Sequence, residues 1–177
     1  MERELVEAAR RGDRAAYDAL VRRKVESVYR TARTILGNEA DAQDATQEAF
    51  VAAWRHLPRL REVDRFEAWF GRIVVNACRQ QLRHRGVVRE IAMPVDAGER
   101  NFAQHGQAEA SIDSIAFDRA FDRLSVDERA ILTLHHGDGR GLDEVAAILG
   151  IPVGTVKSRL LRARRALERS LDRERPS

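Results

Sequence analysis

With 177 residues, the chain has room for one medium domain or two small helical ones, but not for three. Its 44% hydrophobic and 33% charged residues, with only 4 prolines and little alternating Val, Ile and Thr, predict helices and almost no sheet. The formal charge of +3 is too small to define a polyanionic partner, the lone cysteine Cys78 excludes an internal disulfide and a thiolate zinc cage, and no apolar run has the length of a signal-peptide core or membrane span, so a cytoplasmic chain without membrane insertion is expected.

The first predicted element carries Tyr17, Leu20, Val21, Val25, Val28, Ala32 and Ile35 at steps of three and four and ends at Leu36-Gly37-Asn38. Asn38 is an acceptable N-cap for the second, whose stripe is Ala42, Ala45, Ala49, Ala53 and Leu57, with Pro58 as its terminator. After a polar stretch, Phe66, Trp69, Phe70, Ile73, Val74, Ala77 and Leu82 mark a third long helix reaching about Arg85. Gly71 inside it costs about 1 kcal/mol relative to alanine. Residues 86–111 lose all period and carry Gly, Pro, Ala and Gln, the composition of a flexible linker.

Helical period returns at Ile112 with Ile115, Phe117 and Phe121, and Ser125 with Glu128 forms a capping box before Ile131, Leu132 and Leu134. A glycine-rich turn at residues 137–141 precedes a short helix over Leu142–Leu149, and Gly150-Ile151-Pro152 turns into a last helix. Domain bounds follow as 1–86, linker 87–111, and 112–177.

Charge is segregated along this layout. Residues 37–50 hold Glu39, Asp41, Asp44 and Glu48 and no base, whereas residues 72–90 gather Arg72, Arg79, Arg83, Arg85 and Arg89. The last helix is a cationic arm.

The segment LDEVAAILGIPVGTVKSRL (residues 142–160) has helix-turn-helix spacing. Val145 and Ala146 allow a close helix crossing, Gly150 accepts a left-handed turn, and Val156, Leu160 and Leu161 are expected to pack the second helix on the first. Thr155, Lys157, Ser158, Arg159 and Arg162 are left outside, a set suited to base edges and phosphates in a major groove.

Three blocks, DAQDATQEAFVAAW (residues 41–54), FEAWFGRIVVNACRQQLRHR (residues 66–85) and residues 124–167, resemble regions 2.2, 2.3 to 2.4 and 4 of the extracytoplasmic function (ECF) sigma factors of the sigma-70 family. The resemblance implies an all-α chain of two small helical domains, a region 2 bundle and a region 4 helix-turn-helix, joined by a flexible linker. It also implies a non-enzymatic transcription initiation factor without cofactor or metal. Asp44, Gln47, Glu48 and Phe50 would dock on the β′ clamp helices of core RNA polymerase, with region 4 at the β flap. The loop at residues 57–65, through Arg59, Arg61 and Arg65, would hold the unwound minus-ten strand together with Asn76, Arg79 and Arg83. A base held in a protein pocket cannot re-pair, so such binding favours melted DNA without ATP. The minus-thirty-five duplex would be read by Thr155, Lys157, Ser158, Arg159 and Arg162. An anti-sigma factor covering these surfaces is also implied, with the linker permitting a compact inhibited arrangement. Asp96, Glu99, Glu109, Asp113 and Asp118 would give that linker an acidic character suited to the polymerase's basic channels.

Two positions depart from the family pattern. Arg140-Gly141 weakens the N-cap of the short helix, and Gly71 stands where a larger residue is usual, which predicts looser local packing. The spacing of Trp54, Phe66, Trp69 and Phe70 favours core roles over base stacking, and Cys78 reads as a small core residue. A free-standing dimeric helix-turn-helix regulator would account for the C-terminal part but not for the acidic block or the Arg-rich third helix. A metal hydrolase built on His135, His136 and Asp138 is disfavoured, because adjacent histidines are expected on different sides of a helix.

Overall fold

The computed structural model describes residues 2–91 and 112–174, and among these residues every regular element is helical. The order is α1 (Glu2–Arg10), α2 (Arg14–Leu36), α3 (Glu39–His56), α4 (Phe66–Ile91), α5 (Ile112–Asp122), α6 (Val126–Leu132), α7 (Leu142–Leu149) and α8 (Val153–Glu174), with two 3-10 turns between α3 and α4 and one wide π turn, Thr133–Gly137, after α6. The expected flexible linker falls largely outside the described residues. Two differences appear at its edges. Helix α4 runs past Arg85 to Ile91, because the first proline is Pro94 and Gly86 alone is too weak a breaker to stop a helix. Asp113 and Asp118 belong to α5 rather than to the linker.

Helices α1 to α4 form the first lobe. Asp13 caps α2 through the Ala16 amide, Gly37 closes it at φ 78°, and Asn38 caps α3 through the Asp41 amide. The alanine stripe of α3 is buried and lets it approach α2 and α4 closely. Phe66 and Phe70 are buried as expected, Trp54 packs on Tyr17 with ring centroids 4.8 Å apart, and Trp69 lies against Phe66. The sequence reading missed α1, whose Val6 and Ala9 enter the core. Its alternating charges hid an apolar pair at three-residue spacing.

Helices α5 to α8 form the second lobe, where the Ser125–Glu128 capping box is present in both directions. Ile131, Leu134, Val145, Ile148, Val156, Leu160 and Ala163 make its core. Leu161 does not join them. It is 49% exposed, and Ala163 faces inward in its place, because the buried stripe of α8 advances from Val156 through Leu160 to Ala163. Phe117 is also exposed, its ring stacked on buried Phe121.

The two lobes share one continuous buried cluster, with α4 packed along α7 and α2 along α6 and the π turn. At Gly71 the lobes approach closely. A Cβ added there would lie 3.0 Å from Ile148 Cγ1 and 3.1 Å from Cδ1, so the missing side chain serves tight packing between lobes and the expected loosening is absent.

Candidate polymerase and nucleic-acid interfaces

The helix-turn-helix is built as its sequence requires. Gly141 has no side chain with which to cap α7, so the remaining arm of the box is the Glu144 carboxylate accepting from the Gly141 amide at 2.9 Å. Gly150 sits at φ 68°, donates to the Ala146 carbonyl at 2.8 Å, and reverses the chain into α8. Lys157, Ser158 and Arg162 are exposed, Thr155 and Arg159 half-buried. The Ser158 hydroxyl donates to the Thr155 carbonyl at 3.0 Å. Lys157, Arg159 and Arg162 have no acidic partner among the described residues, so this face of α8 presents uncompensated cations beside two hydroxyls.

The second set divides. Asn76, Arg83, Arg59 and Arg61 are exposed, whereas Arg65 is paired with Glu62 at 2.7 Å. The loop carrying Arg59 and Arg61 is pinned by buried Leu57 and Leu60, and Arg10 Nη1 donates to the Leu60 carbonyl at 3.1 Å. Arg79 is engaged twice. Its Nη1 donates to Asn76 Oδ1 at 3.1 Å, while Nε and Nη2 each lie 2.8 Å from Asp127 Oδ1 on the other lobe.

On α3, Asp44 and Gln47 are exposed and Glu48 is half-exposed, with no cation paired to either carboxylate among the described residues. Phe50 is set partly inward, its ring centroid 5.3 Å from that of Phe70, while the Tyr17 hydroxyl donates to its carbonyl. Desolvation pushes that phenol up to about 12. The sequence reading missed Val51, which is 42% exposed beside Gln47 and Glu48. Its signal was positional, since it lies four residues after Gln47, off the alanine stripe.

Contacts between the lobes were not legible in the sequence. Arg72 donates from Nη2 to the Ala147 carbonyl at 2.8 Å and from Nε to that of Ile148 at 3.3 Å, capping the C-terminal end of α7 where the helix dipole favours a cation. The Thr31 hydroxyl donates to the Asp138 carboxylate at 3.0 Å, and Arg140 lies 3.7 Å from Glu67. Desolvation raises the pKa of Asp138 against the opposing effects of Thr31, Arg140 and Arg30. These groups surround a crevice of about 430 Å³ between the lobes that Lys24 and Phe70 also line.

The His135–His136 pair differs from expectation. Within the wide π turn the two rings meet edge to face with centroids 4.7 Å apart rather than pointing to different sides. His135 Nδ1 bonds the Arg140 carbonyl, and His136 Nε2 accepts from Arg164. Desolvation, then Arg164 and His135, lower the His136 pKa. Asp138 turns instead to Thr31, and no group of three potential metal ligands occurs among the described residues. Cys78 is fully buried, and burial pushes its thiol up to about 12.

An acidic helix, an arginine-bearing helix and a helix-turn-helix on one helical chain are the parts of a promoter-recognition factor for RNA polymerase. Residues 9–87 match the family model of sigma-70 region 2, and residues 114–167 match that of sigma-70 region 4. The chain belongs to the ECF group of the sigma-70 family, and is therefore a transcription initiation factor. It is 37% identical to the ECF RNA polymerase sigma factor SigM of Mycobacterium tuberculosis, over 95% of this chain and 83% of that one. It is 31% identical to the RNA polymerase sigma-H factor of Pseudomonas aeruginosa, over 96% and 93%. Among solved structures it resembles that of CnrH in complex with the cytosolic domain of CnrY, with a TM-score of 0.69 and 27% identity over 98% of this chain and 99% of that one. No described helix is long and apolar enough to cross a membrane.

Proposed function

We propose that residues 1–86 dock on polymerase and capture the minus-ten strand, that residues 112–177 read the minus-thirty-five duplex, and that residues 87–111 connect them in the cytoplasm without enzymatic activity. Asp44, Gln47 and Glu48, with Val51 among them, meet the β′ clamp helices, and the second lobe meets the β flap. Arg59, Arg61, Arg65, Asn76, Arg79 and Arg83 hold the melted strand. Thr155, Lys157, Ser158, Arg159 and Arg162 enter the major groove.

The observation that carries this reading is the opposite polarity of two helix faces: Asp44 and Glu48 on α3 and Lys157, Arg159 and Arg162 on α8, none of them with an oppositely charged partner among the described residues. A duplex-binding regulator has no use for the first. Glu48→Lys with Asp44→Lys should abolish co-purification with core polymerase and runoff transcription while leaving duplex binding intact. Normal runoff from that variant would refute the assignment.

The closed arrangement bears on this function. Asp127 occupies Arg79, so strand capture requires the lobes to part, while the α3 and α8 faces stay open. An anti-sigma factor that holds the lobes together would keep the chain silent. This reading is supported by the likeness to CnrH, which was solved with the cytosolic domain of CnrY.

A further inference from the structure

Helix α8 is longer than groove reading requires. It spans Val153–Glu174, and a helix of 22 residues extends about 33 Å, whereas a major groove is about 12 Å wide. The candidate base-reading residues end at Arg162. Beyond them Arg165, Arg169 and Arg173 continue at steps of four, so that Arg162, Arg165, Arg169 and Arg173 form one stripe in line with Ser158. All four are exposed, and none has an acidic partner among the described residues. Glu168 and Asp172 flank the stripe and have no ion pair among the described residues.

Two features make this more than a solvated charged face. The C-terminal half of α8 is firmly mounted: Ser170 is buried, and Glu174, the acid at its end, turns inward, paired with Arg123 and 4.0 Å from Arg119 of α5. Arg164, which points off the stripe, is taken up by His136. The helix therefore pairs its charges off the stripe at Arg164 and Glu174 and presents those of the stripe on the same side as the reading face.

We propose that Arg165, Arg169 and Arg173 form a second DNA contact, a clamp on the backbone phosphates flanking the minus-thirty-five element. By the rise of the helix they lie about 4.5, 10 and 16 Å beyond Arg162, at and past the wall of a groove entered by the first turns of α8. The clamp rests on the minus-thirty-five reading. It adds affinity without sequence preference, because phosphates carry no base identity.

The test is fluorescence anisotropy of the full chain on a 30-base-pair duplex, titrated from low to physiological salt. Each lost phosphate contact reduces the slope of log affinity against log salt by about 0.9, so R165A/R169A/R173A should lose about 2 to 3 units of slope. Its affinity should then fall about 15- to 60-fold less than that of the unaltered chain between 50 and 200 mM salt. R165K/R169K/R173K should keep the slope, and the ratio of affinities for two unrelated duplexes should be the same in all three proteins. Coincident slopes for the alanine variant and the unaltered chain, with R159A weakened, overturn the clamp and leave the reading face standing. Coincident behaviour of R159A as well, or no duplex binding by the unaltered chain at low salt, removes both.

Discussion

Gly71→Leu should open the molecule without weakening the helix that carries the substitution. The three nearest atoms beyond its own helix backbone that a Cβ at this position would meet all belong to Ile148 of the other lobe, at 3.0, 3.1 and 3.4 Å. Leucine sends three more carbons toward the same side chain, and overpacking of this kind costs about 1 to 3 kcal/mol. Inside α4 the same change replaces a poor helix former by a good one, worth up to about 1 kcal/mol in the opposite direction. The closed-to-open ratio should therefore fall about 5- to 150-fold while the first lobe melts no earlier. Small-angle scattering reads the first effect as a larger radius of gyration, and thermal unfolding followed by circular dichroism reads the second. Binding of a single-stranded minus-ten oligonucleotide should rise with the radius, because Arg79 is released from Asp127. Combining the smaller change Gly71→Ala with Ile148→Ala removes the atoms that collide and should restore closure relative to Gly71→Leu. An unchanged radius in Gly71→Leu would refute the claim that Gly71 is the contact on which closure turns.

Three other outcomes follow from individual contacts. Asp127→Asn breaks an ion pair between an exposed carboxylate and a half-buried arginine that solvent still screens, so it should shift closure by about 1 kcal/mol and raise minus-ten strand binding by about 5-fold, as read by oligonucleotide titration. Arg159→Ala should cost about 1 to 3 kcal/mol of minus-thirty-five binding. A loss concentrated at one base position in a substituted promoter series marks direct readout, and a uniform loss marks a phosphate contact. The Cys78 thiol, pushed up to about 12 from an ordinary 9.0 by burial, should be thiolate in about one molecule in ten thousand at pH 8, so iodoacetamide labelling should run about a thousandfold slower than in the unfolded chain. Labelling of the folded protein at the unfolded rate would contradict its burial.

What the sequence disclosed and what it hid divide along a physical line. Helices with a repeated apolar stripe, such as α2 and α3, announce themselves because burial on one face forces a period. Their ends are legible where a special residue is required, as at Gly37, Asn38, Ser125 and Gly150. Helix α1 spans only nine residues, too few for its apolar Leu5, Val6, Ala8 and Ala9 to repeat a period, and was missed. On α8, Leu161 was placed inward because any leucine beside the stripe looks internal until the helix phase is fixed. Gly71 was misjudged for a different reason: its partner Ile148 lies 77 residues away, and a glycine in a helix looks like a defect until the neighbour that needs the space is known. Arg79 and Asp127 were each visible as charges, but their pairing is a property of how the lobes meet.

That meeting sets a constraint on activation. The buried cluster runs without a break from one lobe into the other, so parting them exposes apolar surface around Gly71 and Ile148 and strips two carbonyl caps from Arg72. Opening is therefore uphill for the isolated chain, and whatever drives it must bind the open form more tightly than the closed one by at least that difference. The acidic face of α3 is already uncovered in the closed arrangement, so docking through it alone would not shift the balance. The discriminating contacts must be those that closure buries or spreads apart: the α4 face at Arg72 and Arg79, and a spacing between α4 and α8 that only separated lobes can match. Under the proposed function, polymerase fixing the lobes at promoter spacing, together with a melted strand taking the place of Asp127 on Arg79, would supply both.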